Sequence, residues 1–174
     1  MRGVLSIHII IDGYNMIRRS RFLEDGGGDI RKERDGLIDF LSRYREIRSH
    51  DITVVFDGTR APGFMPRRDR VRGVDVVFSR KGESADSVIM RMSSADQERA
   101  LVVSSDRAVS DFAASKGSAT IRSRRFEARV ARVLFDGSED ENGAAGRVAR
   151  KRKKGPGRRL SKRMRRNRIK IRKI

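Results

Sequence analysis

The segment that most constrains the fold is Ile7-His8-Ile9-Ile10-Ile11-Asp12-Gly13, a short β-branched run that ends at an Asp-Gly pair. Buried parallel strands have this composition, because helices cover both faces of their sheet. The pattern returns at Ile52-Thr53-Val54-Val55-Phe56, which is also followed by Asp-Gly. The two segments predict buried parallel strands that each end next to an aspartate.

Further strands and helices alternate along the chain. Strands are also predicted at residues 74–78, 100–103 and 119–121. Apolar residues at helical spacing predict helices at residues 30–48, with Asp29 as N-cap, and at 84–93, 107–116 and 124–135. Residues 18–29 are polar and Gly-rich, and residues 59–73 are rich in Arg with two prolines, so both are predicted loops. This alternation predicts an α/β fold with a parallel sheet of five strands.

Positive charge is concentrated at the C-terminal end. Residues 147–174 hold 16 of the 42 Lys+Arg residues and no Asp or Glu, whereas residues 1–146 hold 26 basic and 23 acidic residues. We therefore expect a nearly neutral domain at 1–135, a flexible linker at 136–146 and a basic tail at 147–174. The tail lacks the apolar residues for a core of its own and is expected to be disordered or partly helical.

Composition excludes several classes of protein. The chain has no cysteine, which excludes disulfide scaffolds, thiol catalysis and zinc fingers. No apolar run approaches the roughly 18 residues of a membrane span, and the N-terminal segment lacks a signal-peptide cleavage site, so we expect a cytoplasmic protein without membrane contact. No glycine-rich nucleotide-binding motif follows a predicted strand, so no small-molecule cofactor is expected.

Carboxylates stand where α/β proteins bind their ligands. Three aspartates follow predicted strands and a fourth opens the helix after the third strand; they are Asp12, Asp57, Asp106 and Asp86. Because the carboxyl ends of parallel strands meet at one edge of the sheet, the four side chains would converge and repel one another. Mg²⁺ or Mn²⁺ relieves such repulsion and can activate water for attack on a phosphoryl group. The pattern therefore favours metal-dependent phosphoryl chemistry.

Each aspartate also has a structural explanation. Asp-Gly is a common turn pair, which applies to Asp12 and Asp57. Asp86 could lie in the first helical turn because a negative charge there interacts favourably with the helix dipole, and Asp106 could be an N-cap. The metal-site hypothesis therefore depends on all four aspartates reaching the same edge.

Four segments together resemble the YacP-like NYN family of PIN-like ribonucleases. They are Ile10-Ile11-Asp12-Gly13-Tyr14-Asn15-Met16-Ile17, Val54-Val55-Phe56-Asp57-Gly58, Gly82-Glu83-Ser84-Ala85-Asp86-Ser87-Val88-Ile89 and Val102-Val103-Ser104-Ser105-Asp106. Their order and spacing resemble the family over about residues 5–135. The resemblance implies a three-layer α/β/α fold around a mainly parallel sheet, a site that uses Mg²⁺ or Mn²⁺, and endonucleolytic cleavage of RNA.

Position by position, the resemblance implies roles for individual residues. Asp12, Asp86 and Asp106 would be the catalytic, metal-binding acids, and Asp57 a fourth metal-binding carboxylate. Asn15 would belong to the same pocket. Ser104 and Ser105 could hydrogen-bond a metal-bound water or merely cap the next helix. Because the family includes ribosome-associated members that cut messenger RNA, messenger or ribosomal RNA and the ribosome are candidate partners. The basic extension is expected to lie outside the domain pattern, which leaves the RNA target open.

The basic segments predict contacts with RNA phosphates. Cations at this density release counterions from nucleic acid, and the absence of aromatic residues after Phe135 excludes base stacking by the tail. The candidates are Arg67, Arg68, Arg150, Lys151, Arg152, Lys153, Lys154, Lys162, Arg163, Arg165 and Arg166. A solubilising or membrane-attracted tail and a solvated loop are the alternatives. The favoured function is a metal-dependent endoribonuclease; a non-catalytic RNA-binding or ribosome-associated factor is the alternative, and a DNA nuclease ranks third.

Overall fold

A six-stranded sheet forms the centre of the molecule. The structure is a computed structural model, and it describes residues 6–21, 28–60, 68–136 and 161–174. The strands are β1 (His8–Asp12), β2 (Asp51–Phe56), β3 (Arg68–Val71), β4 (Val74–Phe78), β5 (Ala100–Val103) and β6 (Ala119–Ile121). Their order is β3-β4-β2-β1-β5-β6, and all neighbours are parallel except the antiparallel pair β3–β4. The mainly parallel α/β sheet is confirmed, with one strand more than the five predicted.

Helices pack on both faces of this sheet. They are α1 (Gly13–Arg19), α2 (Ile30–Ile47), α3 (Ala85–Asp96), α4 (Arg107–Ser115), α5 (Ser123–Asp136) and α6 (Lys162–Lys173). The four predicted helices correspond to α2 to α5, and Asp29 caps α2 as expected. No helix in the described ranges has the length and apolarity that crossing a bilayer requires.

Helix α1 replaces the start of a predicted loop. The Asp12 side chain accepts a hydrogen bond from the backbone N of Asn15 and so begins a helix directly after β1. Buried Tyr14, Met16 and Ile17 hold that helix against the sheet. The loop prediction is therefore wrong for residues 18 and 19, while residues 22–27 lie outside the described residues.

The predicted loop at 59–73 contains β3, the first strand of a β-hairpin with β4. Arg72 and Gly73 both have positive φ, 48° and 82°, which is the backbone of a type I′ turn and joins β3 tightly to β4. Strand β3 has the polar sequence Arg-Asp-Arg-Val and is exposed, so it carries no apolar alternation. The loop prediction is wrong for residues 68–71, because pairing with β4, rather than burial, makes them a strand, while residues 61–67 lie outside the described residues.

Two hydrophobic cores, one on each face, complete the three-layer arrangement. Ile9 and Ile11 join side chains of α1, α2 and α5 in the first core. Ile10 faces the opposite side and packs with residues of α3 and α4 in the second. Successive strand residues alternate between the faces, so both faces need apolar residues and the strand reads as a continuous apolar run.

Part of the basic tail packs on the domain as helix α6. Ile171 and Ile174 are 7% and 4% exposed and belong to the first core. Asn167 Oδ1 accepts a hydrogen bond from the backbone N of Thr120 at 3.1 Å, on the edge strand β6. Asn167, Ile171 and Ile174 recur at helical spacing and so share one face of α6. Of the two expected states of the tail, this portion is helical. The expected linker lies outside the described residues except for Asp136, which ends α5.

Candidate active site

The four candidate aspartates lie at the carboxyl edge of the sheet. Asp12 ends β1, Asp57 follows β2, Asp106 follows β5, and Asp86 is the second residue of α3, which follows β4. The chain proceeds from β1 to β2 on one side and later to β5 on the other, which makes the gap between β1 and β5 the topological switch point. Ligand sites of open α/β sheets form at this position.

Asp12 is the most enclosed carboxylate of the group, with 8% of the residue exposed. Its Oδ1 accepts a hydrogen bond from the backbone N of Asn15 at 3.1 Å, and its Oδ2 accepts one from Ser104 Oγ at 3.3 Å. Burial, reinforced by the charge of Asp86, raises the pKa of Asp12 to about 6, although both hydrogen bonds and Arg18 oppose the shift. Keeping Asp12 ionised at neutral pH is therefore costly, and a nearby cation would reduce that cost.

Asp86 connects the remaining carboxylates electrostatically. Burial raises its pKa, and the negative charges of Asp106 and Asp57 raise it further, while Arg18 lowers it. Asp86 also acts on the pKa of Asp12, so it interacts with all three other aspartates. The four residues thus form one electrostatic group although they are distant along the chain.

Asp106 and Asp57 also have the structural roles that the sequence left open. Asp106 is the N-cap of α4, and its Oδ1 accepts a hydrogen bond from the backbone N of Val109 at 3.1 Å. Asp57 Oδ1 accepts hydrogen bonds from the backbone N and Oγ1 of Thr59, at 2.9 and 2.6 Å. Local capping therefore fixes both carboxylates at the edge where they interact with Asp86.

The glycines of the two Asp-Gly pairs serve close packing. A Cβ on Gly13 would lie 2.3 Å from the Phe56 ring, and a Cβ on Gly58 would lie 2.0 Å from Ser79 O. Neither glycine has positive φ, so neither position needs glycine for its backbone conformation. The glycines instead allow the chain to leave each strand against a neighbouring element.

A hydrogen-bond network connects the carboxylates to the segments around them. Ser104 is fully buried, and its Oγ donates to Asp12 and accepts from the backbone N of Asp106 at 3.0 Å. Asn15 Oδ1 accepts from the backbone N of Ser105 and from Ser123 Oγ, both at 2.9 Å. Asn15 thus ties α1 to the segment after β5 and to α5. Ser105 takes part through its backbone N, and Ser104 links two of the acids.

Arg18 is a residue of this edge that the sequence did not identify. Its charge lowers the pKa of both Asp12 and Asp86, and its Nε donates to Tyr14 O at 3.2 Å. Arg18 falls in the predicted loop at 18–29, whereas in the structure it lies on α1, about one helical turn after Asn15. Recognising Asp12 as the N-cap of a short helix would have revealed it.

Carboxylates are ligands that Mg²⁺ and Mn²⁺ prefer, but those of the described residues do not form a closed cage. Within residues 6–21, 28–60, 68–136 and 161–174, no three His, Asp or Glu side chains are grouped closely enough to hold a metal ion. Mg²⁺, however, commonly binds proteins through one or two carboxylates and completes its shell with water and substrate phosphate. Two acids with raised pKa values, Asp12 and Asp86, fit a divalent ion of that kind.

The predicted RNA-binding cations are distributed over two ends of the molecule. Arg68 is exposed on β3; Arg67 and residues 150–154 lie outside the described residues. Helix α6 contains the other four, of which Lys162 and Arg165 are exposed and Arg166 pairs with Glu98. Glu98 precedes β5, so α6 meets the domain at the amino ends of the strands, opposite the aspartates.

Comparison with known proteins agrees with the fold and the motifs. The family model of the YacP-like NYN domain matches residues 9–173. A crystal structure of Rae1 (YacP) from Bacillus subtilis superposes with a TM-score of 0.59 at 26% identity and covers 74% of this chain and 78% of that chain. A point variant of the same protein gives a TM-score of 0.57 at 25% identity, with 72% and 77% covered. None of the curated proteins matches this chain. Because the family match includes α6, the expectation that the basic extension lies wholly outside the family pattern is wrong.

Proposed function

The chain belongs to the YacP-like NYN domain family, and on this basis we propose that it is an endoribonuclease that hydrolyses RNA phosphodiester bonds with Mg²⁺ or Mn²⁺. The observation that carries the proposal is the electrostatic coupling of Asp86 to Asp12, Asp57 and Asp106 at the carboxyl edge of the sheet. Such a concentration of negative charge opposes phosphate binding unless a cation is present. A divalent ion therefore serves both the protein and the substrate.

Asp12 and Asp86 are the proposed primary ligands, with Asp106 and Asp57 completing the acidic group. When bound, the ion supplies Lewis-acid stabilisation of phosphoryl charge and lowers the pKa of water. Ser104 orients Asp12 and anchors the backbone of Asp106. Asn15 holds the segment after β5 in place through its Oδ1. These contacts fix the acids before substrate arrives, which reduces the reorganisation that catalysis would otherwise require.

Arg18 is the proposed cationic partner of the substrate at this edge. It acts electrostatically on both Asp12 and Asp86, so it lies within reach of the charge that these acids carry. A guanidinium group can donate two hydrogen bonds to a phosphate, and its charge favours the extra negative charge of the transition state. Arg18 would therefore contribute both to phosphate binding and to catalysis.

RNA is the proposed substrate, and the protein is proposed to act in the cytoplasm. The exposed cations of α6 would bind RNA phosphates and raise the local RNA concentration. Cleavage of messenger RNA on the ribosome remains a prediction from the family resemblance. The assay therefore includes both free RNA and translating ribosomes.

A non-catalytic RNA-binding or ribosome-associated factor is the competing function. The observation in its favour is that the described carboxylates do not surround one point. Such a factor would bind RNA tightly in a salt-sensitive manner and would cut no RNA with any divalent ion.

The decisive experiment is cleavage of a mixed cellular RNA pool in Mg²⁺, Mn²⁺ or EDTA, with wild type beside Asp86→Asn. Asp111→Asn is the matched control, because Asp111 is a surface carboxylate of α4, 76% exposed, that pairs with Arg107. We expect metal-dependent cuts by wild type and by the Asp111 variant, and none by the Asp86 variant. If free RNA stays intact, the assay is repeated with translating ribosomes. Intact RNA in both settings, or full activity of Asp86→Asn, would overturn the proposal.

A further inference from the structure

A cleft of about 860 Å³ opens beside the candidate active site. It lies between β4, the first residue of β3 and the segment that leads into α3. Arg80 and Glu83 line it and follow the carboxyl end of β4, so the cleft reaches the edge of the sheet at which the aspartates lie, although none of the four is among its described lining residues. Its volume lies within the roughly 300–1,000 Å³ that is common for ligand sites. The cleft is therefore large enough for part of a substrate that also reaches the aspartates.

The charged lining of this cleft is mainly positive. Its cations are Arg68, Arg80, Lys81 and Arg91. The carboxylate among the described lining residues is Glu83, whose charge is paired with Arg91. The positive charge that remains suits a polyanion rather than a neutral or cationic ligand.

The apolar part of the lining offers no platform for reading bases. Val77, Val88 and Met92 contribute aliphatic surface. Phe78 is the aromatic residue of the described lining, but it is 7% exposed and its ring stacks on Phe56 at a centroid distance of 5.6 Å. The described lining contains no Asn or Gln side chain that could pair with a base edge. Recognition here would therefore concern the sugar-phosphate backbone.

The lining of this cleft is more positive than that of the neighbouring cavity. A second cavity of about 590 Å³ shares Arg68, Val77 and Met92 with the first and continues toward the amino ends of the strands. Its charged lining is mixed, since the cations are accompanied by three carboxylates, Asp51, Asp69 and Asp75. A phosphate backbone is therefore less favoured in the second cavity than in the first, and the contact should be short.

We propose that the cleft between β4 and α3 binds the single-stranded RNA segment next to the scissile phosphate, through its backbone and without sequence preference. The proposal rests on the proposed nuclease function, because that function places the scissile phosphate at Asp12 and Asp86. The strand is single because Asp12 is enclosed at the sheet edge, and an unpaired strand can enter where a rigid duplex cannot. Arg68, Arg80 and Lys81 would neutralise successive phosphates.

The test is binding of a short fluorescent RNA oligonucleotide without secondary structure to the full chain, in EDTA and at several salt concentrations. The variant is Arg80→Gln/Lys81→Gln, which removes two exposed cations from the cleft. The matched control is Arg125→Gln/Arg132→Gln, which removes two exposed cations from α5, on the opposite face of the sheet. Net charge is the same in both variants, and both keep the basic tail.

We expect the cleft variant to bind about tenfold more weakly, with the slope of log K against log salt reduced by about 1.4, or roughly 0.7 for each lost phosphate contact on a single strand. The control should retain the wild-type slope. An unchanged slope in the cleft variant, or the same change in the control, would overturn the proposal. So would photo-crosslinks from thiouridine-substituted RNA that map to α6 and never to residues 78–92. Because the binding is measured without metal, these results are independent of whether the protein cleaves RNA.

Discussion

Ser104 Oγ donates a hydrogen bond to Asp12 Oδ2 at 3.3 Å, across the gap between β5 and β1. The parallel register pairs Ile11 with Val103, so the residues that follow them, Asp12 and Ser104, lie side by side at the carboxyl edge. Asp12 is buried, and this contact is one of the few that favour its ionised form. The hydroxyl of Ser104 therefore helps decide whether the most enclosed acid of the site carries its charge.

Ser104→Ala should weaken catalysis without unfolding the protein. Loss of the hydroxyl removes a hydrogen bond from Asp12 and leaves the backbone N of Asp106 without its acceptor. Residues that orient metal ligands in this way typically affect activity by about 10–100-fold. We expect a loss of kcat in that range in a cleavage assay and a stability loss of about 1 kcal/mol. Ser105→Ala is the control, because Ser105 contributes its backbone N; equal losses in both variants would contradict the assignment.

Asp12→Asn should make the metal-free protein more stable at pH 8. The pKa of Asp12 is raised from its ordinary 3.8 to about 6 in the folded protein, so the folded state holds the proton more tightly than the unfolded state does. The resulting stabilisation is complete below pH 3.8 and is lost as the pH rises through 6. Asparagine removes the buried charge and remains a good N-cap for α1. Urea unfolding in EDTA should show a gain on the order of 2 kcal/mol at pH 8 that disappears near pH 4. Mg²⁺ or Mn²⁺ should stabilise wild type alone; a variant less stable than wild type at pH 8 would refute this account.

The sequence predicted those elements whose identity depends on local patterns. β1 and β5 are continuous apolar runs, and α2 combines helical spacing with an N-cap at Asp29. The short helix α1 has seven residues, too few to display a helical period. Strand β3 is polar and owes its conformation to pairing with β4. In α6 the buried Ile171 and Ile174 are hidden among cations, so its docking face could not be recognised.

The edge that gathers the aspartates was also predictable, because parallel strands end on the same side. The predicted roles of Asp12, Asp86 and Asp106 nevertheless remain predictions. The degree to which each carboxylate is buried depends on register and packing, which the sequence does not reveal. The same holds for the contacts of Ser104 and for the proximity of Arg18.

Arg18→Ala should reduce cleavage, because it removes both a positive charge and a pair of hydrogen-bond donors from the acidic edge. Arg18 is the cation that acts on the pKa of both Asp12 and Asp86, and it is the proposed phosphate contact. We expect kcat/KM to fall about 10–100-fold, or roughly 1.4–2.7 kcal/mol of transition-state stabilisation. Arg18→Lys should restore part of the activity, because it keeps the charge without the paired donors. Arg19→Ala, the adjacent residue, is the control in single-turnover assays. If both alanine variants lose equal activity, α1 as a whole rather than Arg18 is responsible.

Ile171→Ala should detach α6 from the domain. The side chain is 7% exposed in the first core, whereas Ile169 on the same helix is 56% exposed and provides a matched control. Truncating a buried isoleucine typically costs about 2–5 kcal/mol, although a terminal helix can undock without unfolding the rest. We expect faster hydrogen exchange at the amide of Thr120, which donates to Asn167. The Ile169→Ala variant should exchange at the wild-type rate. Unchanged protection of Thr120 in Ile171→Ala would show that the polar contacts alone hold α6.

Neutralising the outer face of α6 should separate RNA retention from RNA cleavage. Deleting residues 147–174 cannot do so, because the deletion also removes Ile171 and Ile174 from the first core. Arg168 and Arg172 are exposed and one helical turn apart, and α6 meets the domain at the end opposite the aspartates. Arg168→Gln/Arg172→Gln should therefore weaken binding of long RNA and lower its salt slope by about 1.4–1.8. Cleavage of a short oligonucleotide should keep its wild-type kcat, because the short substrate reaches the acidic edge without contacting α6. A matching loss of kcat on the short substrate would place α6 close to the reacting phosphate and contradict this division.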